Sequence, residues 1–208
     1  MERSGAVIRG ILFDMDGVVV RQRLDFQAIK LEIFGSADGF VLERMQALPA
    51  TERAQAEAIL ERHETAAAMT AEPMDGILAF QHWMRERGLK SGLVTRNSRK
   101  SVDLVLARLG LRFDAVVTRE DAPPKPAPEP VWLACRGMGL PPDAVVFVGD
   151  FEFDMQSGRR ADVRTVLLRS PACLASPNAD LAVDTLAELQ AQLDGEMADR
   201  AASRRKEW

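Results

Sequence analysis

Cysteine is scarce and long apolar runs are absent. The two cysteines, Cys135 and Cys173, lie far apart and lack metal-ligand spacing. Both read as ordinary thiols in a reducing compartment. No apolar run approaches the ~20 residues that a membrane span needs, and residues 1–10 hold no uninterrupted apolar stretch of signal-peptide length. A cytoplasmic protein without a membrane partner is the expectation. Excess charge is lacking too. The formal net charge of −4 gives no reason to expect nucleic acid or an anionic membrane surface. The two histidines, His63 and His82, stand alone in helical stretches and receive no role. No internal repeat or low-complexity tract divides the chain.

What is present is a regular alternation. Apolar residues make up 47% of 208 residues, enough for one sizeable core or a core plus a small insert. Short apolar runs predict buried strands at Val7–Phe13, Ser91–Val94, Asp114–Thr118, Val145–Val148 and Arg164–Leu168. Helical patterns fall between them, at Asp75–Arg87, Arg99–Leu109, Pro130–Gly139 and Phe153–Ala161. Strands alternating with helices imply right-handed crossovers and an α/β fold with a parallel sheet. Ligands bind such sheets at the carboxyl ends of the strands. The stretch from Leu24 to about Pro73 breaks the pattern. It is helical throughout and predicts two or three helices, the first two separated by Gly35–Gly39. Trp83 and Trp132 read as core anchors. The charged tail from Gly195, with Arg200, Arg204, Arg205 and Lys206, reads as a solvated helix end or frayed terminus before a basic patch.

Four places carry chemistry. Ile11-Leu12-Phe13-Asp14-Met15-Asp16-Gly17 sets two acids two residues apart at a strand end. Like charges so close are costly unless a cation or a shared proton compensates; the competing reading is a simple Asp-Gly turn. Thr95-Arg96-Asn97-Ser98 puts a hydroxyl and backbone amides before a helix, which suits a phosphate oxygen, although Asn97 or Ser98 could serve only as an N-cap. Pro123-Pro124-Lys125-Pro126-Ala127-Pro128 holds one ammonium in a stiff frame, useful against a phosphate or carboxylate; a proline-rich connector is the alternative. Val148-Gly149-Asp150, followed by Asp154, places two acids where they can face one point as the chain enters a helix. Asp154 also suits a helix N-terminus on electrostatic grounds alone.

Together, Asp14-x-Asp16-Gly17, Thr95, Lys125 and Gly149-Asp150-x-x-x-Asp154 resemble the four motifs of the haloacid dehalogenase superfamily of hydrolases. The similarity runs from Val7 to about Leu193 and is nearest the phosphoglycolate-phosphatase-like branch. The resemblance implies a Rossmann-like core at 1–21 and 75–208, with a small all-helical cap at 22–74 inserted after the first strand. It implies Asp14 as nucleophile and Asp16 as acid and base. Mg²⁺ would be held by Asp14, Asp16, Asp150 and Asp154. Thr95, Arg96, Asn97 and Lys125 would meet the phosphate. Asp16 argues for phosphoryl chemistry, because the superfamily's dehalogenases lack that second acid. Phe151 is a departure, since many relatives carry a small or hydroxylated residue there. The implied function is Mg²⁺-dependent hydrolysis of a small phosphorylated metabolite by a monomer or homodimer. A phosphomutase of the β-phosphoglucomutase kind and a non-catalytic binding descendant are the alternatives. The cap would act as a lid, with Arg21, Arg23, Lys30 or Arg44 facing a second anionic group.

Overall fold

The apolar runs become parallel strands because each is covered on both faces, so the near-continuous Val, Leu and Ile pattern is what burial selects. The computed structural model describes residues 7–21 and 24–206. Six strands form one sheet: β1 (Gly10–Phe13), β2 (Lys90–Val94), β3 (Ala115–Val117), β4 (Val145–Gly149), β5 (Arg164–Leu168) and β6 (Leu181–Val183). Their order is β3-β2-β1-β4-β5-β6, and every ladder is parallel. This is the Rossmann-like α/β fold. β1 lies between β2 and β4, and the strand order reverses direction there. Such a reversal opens a crevice at the strand ends, where ligands bind.

The chain divides into two compact units. The first comprises Met1–Arg21, Pro73–Arg96 and Arg112–Trp208; the second comprises Gln22–Glu72 and Asn97–Leu111. In the first unit, α4 (Ile77–Glu86), α6 (Glu129–Met138), α7 (Glu152–Arg160) and α8 (Leu186–Lys206) accompany the sheet. One face of the sheet packs Leu12, Val94, Val117 and Phe147 against Val131, Ala134 and Met138 of α6. On the other face Phe13 meets Phe80 edge-on at 5.9 Å, and Phe80 meets Trp83 at 5.0 Å. Trp83 and Arg87 both donate to Asp194, tying the end of α4 to α8.

The second unit holds α1 (Phe26–Phe34), α2 (Val41–Gln46), α3 (Ala50–Met69) and α5 (Arg99–Leu109). Ile29, Val41, Met45, Ala56 and Leu60 form its core. Gly35 ends α1 with φ at +69°, the left-handed position that favours glycine. The Arg44 guanidinium fills the turn that follows, donating to the carbonyls of Ser36 and Asp38 over the Phe34 ring.

Several expectations need correction. The first strand begins at Gly10, and Val7 is exposed. β6 and the body of α8 went unforeseen, while the charged tail as far as Lys206 is the end of that helix, in line with the helix-end reading. The side chains of Arg200, Arg204, Arg205 and Lys206 lie outside the described residues. Trp132 is no core anchor. It is 38% exposed, and its indole N–H donates to the Ala161 carbonyl at 3.2 Å. The cations among which one or two were expected to face a second anionic group have local partners. Arg21 pairs with Asp75, Lys30 donates to the Gly39 carbonyl, and Arg44 supports its own turn. Arg23 lies outside the described residues.

Candidate active site

The site grows from the end of β1. Asp14 follows Phe13 and continues the ladder by donating its backbone N–H to the Val148 carbonyl at 2.9 Å. Its side chain is turned inward, leaving the residue 9% exposed. The chain then folds tightly: the amides of Val19 and Val20 both reach the Met15 carbonyl, and Gly17 donates to Val20. Gly17 sits at φ +84°, and a Cβ there would collide with the Asp150 carboxylate. Glycine is thus required for the two acidic loops to approach one another. The half-buried Asp16 lies in this turn, near enough that its charge acts on both Asp14 and Asp150.

β4 supplies the second acidic loop. A Cβ on Gly149 would strike Asp154, so the start of α7 can close onto the strand end. Asp150 is held from behind, where the Ser170 hydroxyl donates to its carbonyl at 3.2 Å. Asp154 has two duties. One oxygen accepts the Phe151 amide at 3.1 Å, the helix-terminal role foreseen for it, and the other lies 2.6 Å from the Lys125 ammonium.

Lys125 links the two loops. Its ammonium is 2.5 Å from Asp14, 2.6 Å from Asp154 and 3.0 Å from the Val94 carbonyl, and the residue is 2% exposed. Its proline-rich frame is pinned to α7, since Ser157 donates to the Ala127 carbonyl and Arg160 to that of Pro126. The lysine is therefore a buried, oriented charge and not part of a loose connector.

Thr95 ends β2, is buried, and donates its amide to the Val117 carbonyl at 3.0 Å. Arg96 follows, with its guanidinium 5.0 Å from the Phe153 ring and donating to the Lys125 carbonyl at 2.9 Å. Asn97 is buried and opens the second segment of the second unit, Asn97–Leu111. Ser98 takes the N-cap role for α5, its hydroxyl accepting the Ser101 amide. Phe151, the unexpected neighbour of Asp150, meets Phe153 edge-on at 5.3 Å. It thereby backs the ring on which Arg96 rests.

The electrostatics ask for a cation. Ligand oxygens of Asp14, Asp150 and Asp154 all lie within 4.8 Å of one another. Burial raises the Asp14 carboxyl well above its ordinary range, only partly offset by Lys125, and Asp154 and Asp150 push it further. Burial and the charge of Asp154 raise Asp150 to about 7. Lys125 is itself raised, because Asp14 and Asp154 outweigh its desolvation. One ammonium among three crowded carboxylates leaves excess negative charge. An all-oxygen donor set of this kind suits a hard divalent cation such as Mg²⁺.

The sequence profile of the haloacid dehalogenase-like hydrolases matches residues 31–168. The chain belongs to this family. An uncharacterized hydrolase of Saccharomyces cerevisiae is 32% identical over 78% of this chain and 78% of its own. An N-acetylmuramic acid 6-phosphate phosphatase of Pseudomonas aeruginosa is 28% identical over 92% of this chain and 97% of its own. A solved hydrolase structure from Pseudomonas syringae shares the fold with a TM-score of 0.78 at 17% identity, covering 90% of this chain and 98% of that one. In this haloacid dehalogenase-like hydrolase, three supports of the cluster carry no signal in the sequence. They are the Val94 carbonyl under Lys125, the Phe153 ring under Arg96, and Arg119, which donates to the Arg96 carbonyl at 3.4 Å. Val94 and Phe153 neighbour motif residues in sequence without carrying a motif role, and Arg119 reaches the site only through the fold.

Proposed function

We propose that this hydrolase is a Mg²⁺-dependent phosphatase that cleaves a small phosphomonoester through a phosphoryl group carried on Asp14. The observation that carries the reading is the buried contact of Lys125 with both Asp14 and Asp154 beside the half-buried Asp16. That arrangement supplies a nucleophile, a fixed positive charge and a second acid in one place.

Asp14, Asp150, Asp154 and the Asp16 segment would hold the cation. When bound, it neutralises charge between the carboxylates and an anionic phosphate. An Asp14 oxygen attacks phosphorus, and the bond from phosphorus to the substrate oxygen breaks. The Asp16 carboxylic acid gives its proton to the departing alkoxide. Water then attacks phosphorus, the Asp16 carboxylate takes the water's proton, and Asp14 is released with inorganic phosphate. Lys125 offsets charge on Asp14 and on the phosphate oxygens during both displacements. Thr95, Arg96 and Asn97 orient the phosphate.

The test is phosphate release from a panel of phosphorylated metabolites with Mg²⁺ present. Turnover of at least one small phosphomonoester, lost in Asp14→Asn, is expected. An inactive wild type, or an active Asp14→Asn variant, refutes the reading.

A further inference from the structure

Glu64 is the one acid in the buried line of α3. That line runs Ala56, Leu60, Glu64, Ala68 at four-residue spacing, so these residues share one helix face. A leucine at 64 would continue the stripe. Burying a carboxylate costs free energy unless hydrogen bonds compensate. Here the residue is 2% exposed, and its Oε2 accepts the backbone N–H of Ser98 at 3.2 Å. The Glu64 backbone carbonyl accepts the Ser101 hydroxyl at 3.4 Å, and the Ser101 amide donates to the Ser98 hydroxyl. One turn earlier on α3, Glu61 pairs with Lys100 at 2.5 Å. Near the other end, Arg108 donates to the Ala71 carbonyl at 3.3 Å. α3 and α5 are therefore tied at several points, and Glu64 is the buried one.

Ser98 is the N-cap of α5, and the three residues before it are Thr95, Arg96 and Asn97. This run is anchored in sequence. Val117 accepts from the Thr95 amide, Arg119 donates to the Arg96 carbonyl, and Glu64 accepts from the Ser98 amide. The Glu64 anchor orients the peptide that follows Asn97. A carboxylate also sits favourably at the N-terminal end of a helix. The acid thus has a reason to be there that an aliphatic residue cannot supply.

We infer that Glu64 is a positioning residue for the phosphate-orienting segment Thr95–Asn97, acting through the Ser98 amide. The inference rests on the phosphatase reading above and adds to it a residue outside the four motifs. The comparison is between Glu64→Leu, which keeps the buried stripe apolar, and Glu64→Gln, whose amide oxygen can still accept from Ser98. Inorganic phosphate affinity is read by calorimetry with Mg²⁺, alongside KM and kcat on the best phosphomonoester. Folding is verified by circular dichroism. In Glu64→Leu, phosphate Kd and KM should rise by about tenfold, the scale of one lost orienting hydrogen bond. kcat should change far less, and Glu64→Gln should stay within about threefold of wild type. Hydrogen exchange at the Ser98 amide should accelerate in Glu64→Leu only. A folded Glu64→Leu with wild-type phosphate affinity and KM overturns the inference, as does a Glu64→Gln equally impaired. An inactive wild type instead refutes the phosphatase reading beneath it.

Discussion

Replacing Lys125 with methionine tests the electrostatic core of the site. The substitution keeps an unbranched stem of similar length and removes the ammonium. That ammonium contacts Asp14 at 2.5 Å, Asp154 at 2.6 Å and the Val94 carbonyl at 3.0 Å in a nearly dry position. Breaking a buried ion pair by removing one partner costs about 3–5 kcal/mol, because the other charge stays buried. For a chain of this size each kcal/mol is worth roughly 2–4 °C, so the midpoint should fall by roughly 6–20 °C in EDTA. The loss should depend on pH. Asp14 and Asp150 have carboxyls raised by burial, so the folded protein holds protons that the unfolded chain releases. Stability then declines as pH rises from the ordinary carboxylate range, about 4, through the Asp150 value of about 7. Without Lys125 that decline steepens, and the deficit should be larger at pH 8 than at pH 5. Mg²⁺ should recover part of it at pH 8. Loss of one fixed stabilising charge should also lower kcat by roughly 10²–10³. Differential scanning calorimetry across pH, with EDTA and with Mg²⁺, gives the answer. A variant that melts within about 2 °C of wild type at pH 8 in EDTA would refute the argument, since that is under 1 kcal/mol.

Asp16→Asn should slow turnover by roughly 10²–10⁴, and less for aryl than for alkyl phosphates, because good leaving groups need less protonation. Equal losses on both would show that Asp16 does something other than move a proton. EDTA should abolish activity and Mg²⁺ restore it, while Ca²⁺, which takes more oxygens at longer distances, should not; full activity in metal-free enzyme contradicts the acidic cluster as a metal site. The helical stretch joins the chain soon after Asp14 and is expected to favour small substrates. Catalytic efficiency on phosphoglycolate and sugar phosphates should therefore exceed that on a phosphorylated protein, and the reverse order would sink the lid argument.

The strand ends were legible because buried parallel strands are short apolar runs and because Asp14, Thr95 and Asp150 interrupt those runs with polar groups. Arg164–Leu168 matches the expected bounds as another short apolar run, and Arg99–Leu109 does so because its helical periodicity is bounded by the caps Ser98 and Gly110. β6 escaped because Leu181-Ala182-Val183 is too short to register as a run. α8 escaped because its buried Leu186, Leu189 and Leu193 are diluted by charged residues. Trp132 looked like core because its helix is amphipathic, yet it is not among the buried residues of that helix, and its ring nitrogen donates to the Ala161 carbonyl. Glu64 was invisible for the opposite reason. An acid in an Ala- and Glu-rich helix reads as surface until the partner helix is in place. That Lys125 would face Asp154 as well as Asp14 was also beyond the sequence, because those residues come from separate elements.

The central claim is that Asp14 carries the phosphoryl group, and chemical trapping tests it most directly. Wild-type protein mixed with Mg²⁺ and a substrate labelled in its phosphoryl group is quenched in acid, digested, and searched by mass spectrometry. The label should appear on the peptide containing Asp14, at that aspartate, and be absent from Asp14→Asn. Rapid phosphate release with no label on Asp14 at any quench time, or label on another residue, would contradict the account.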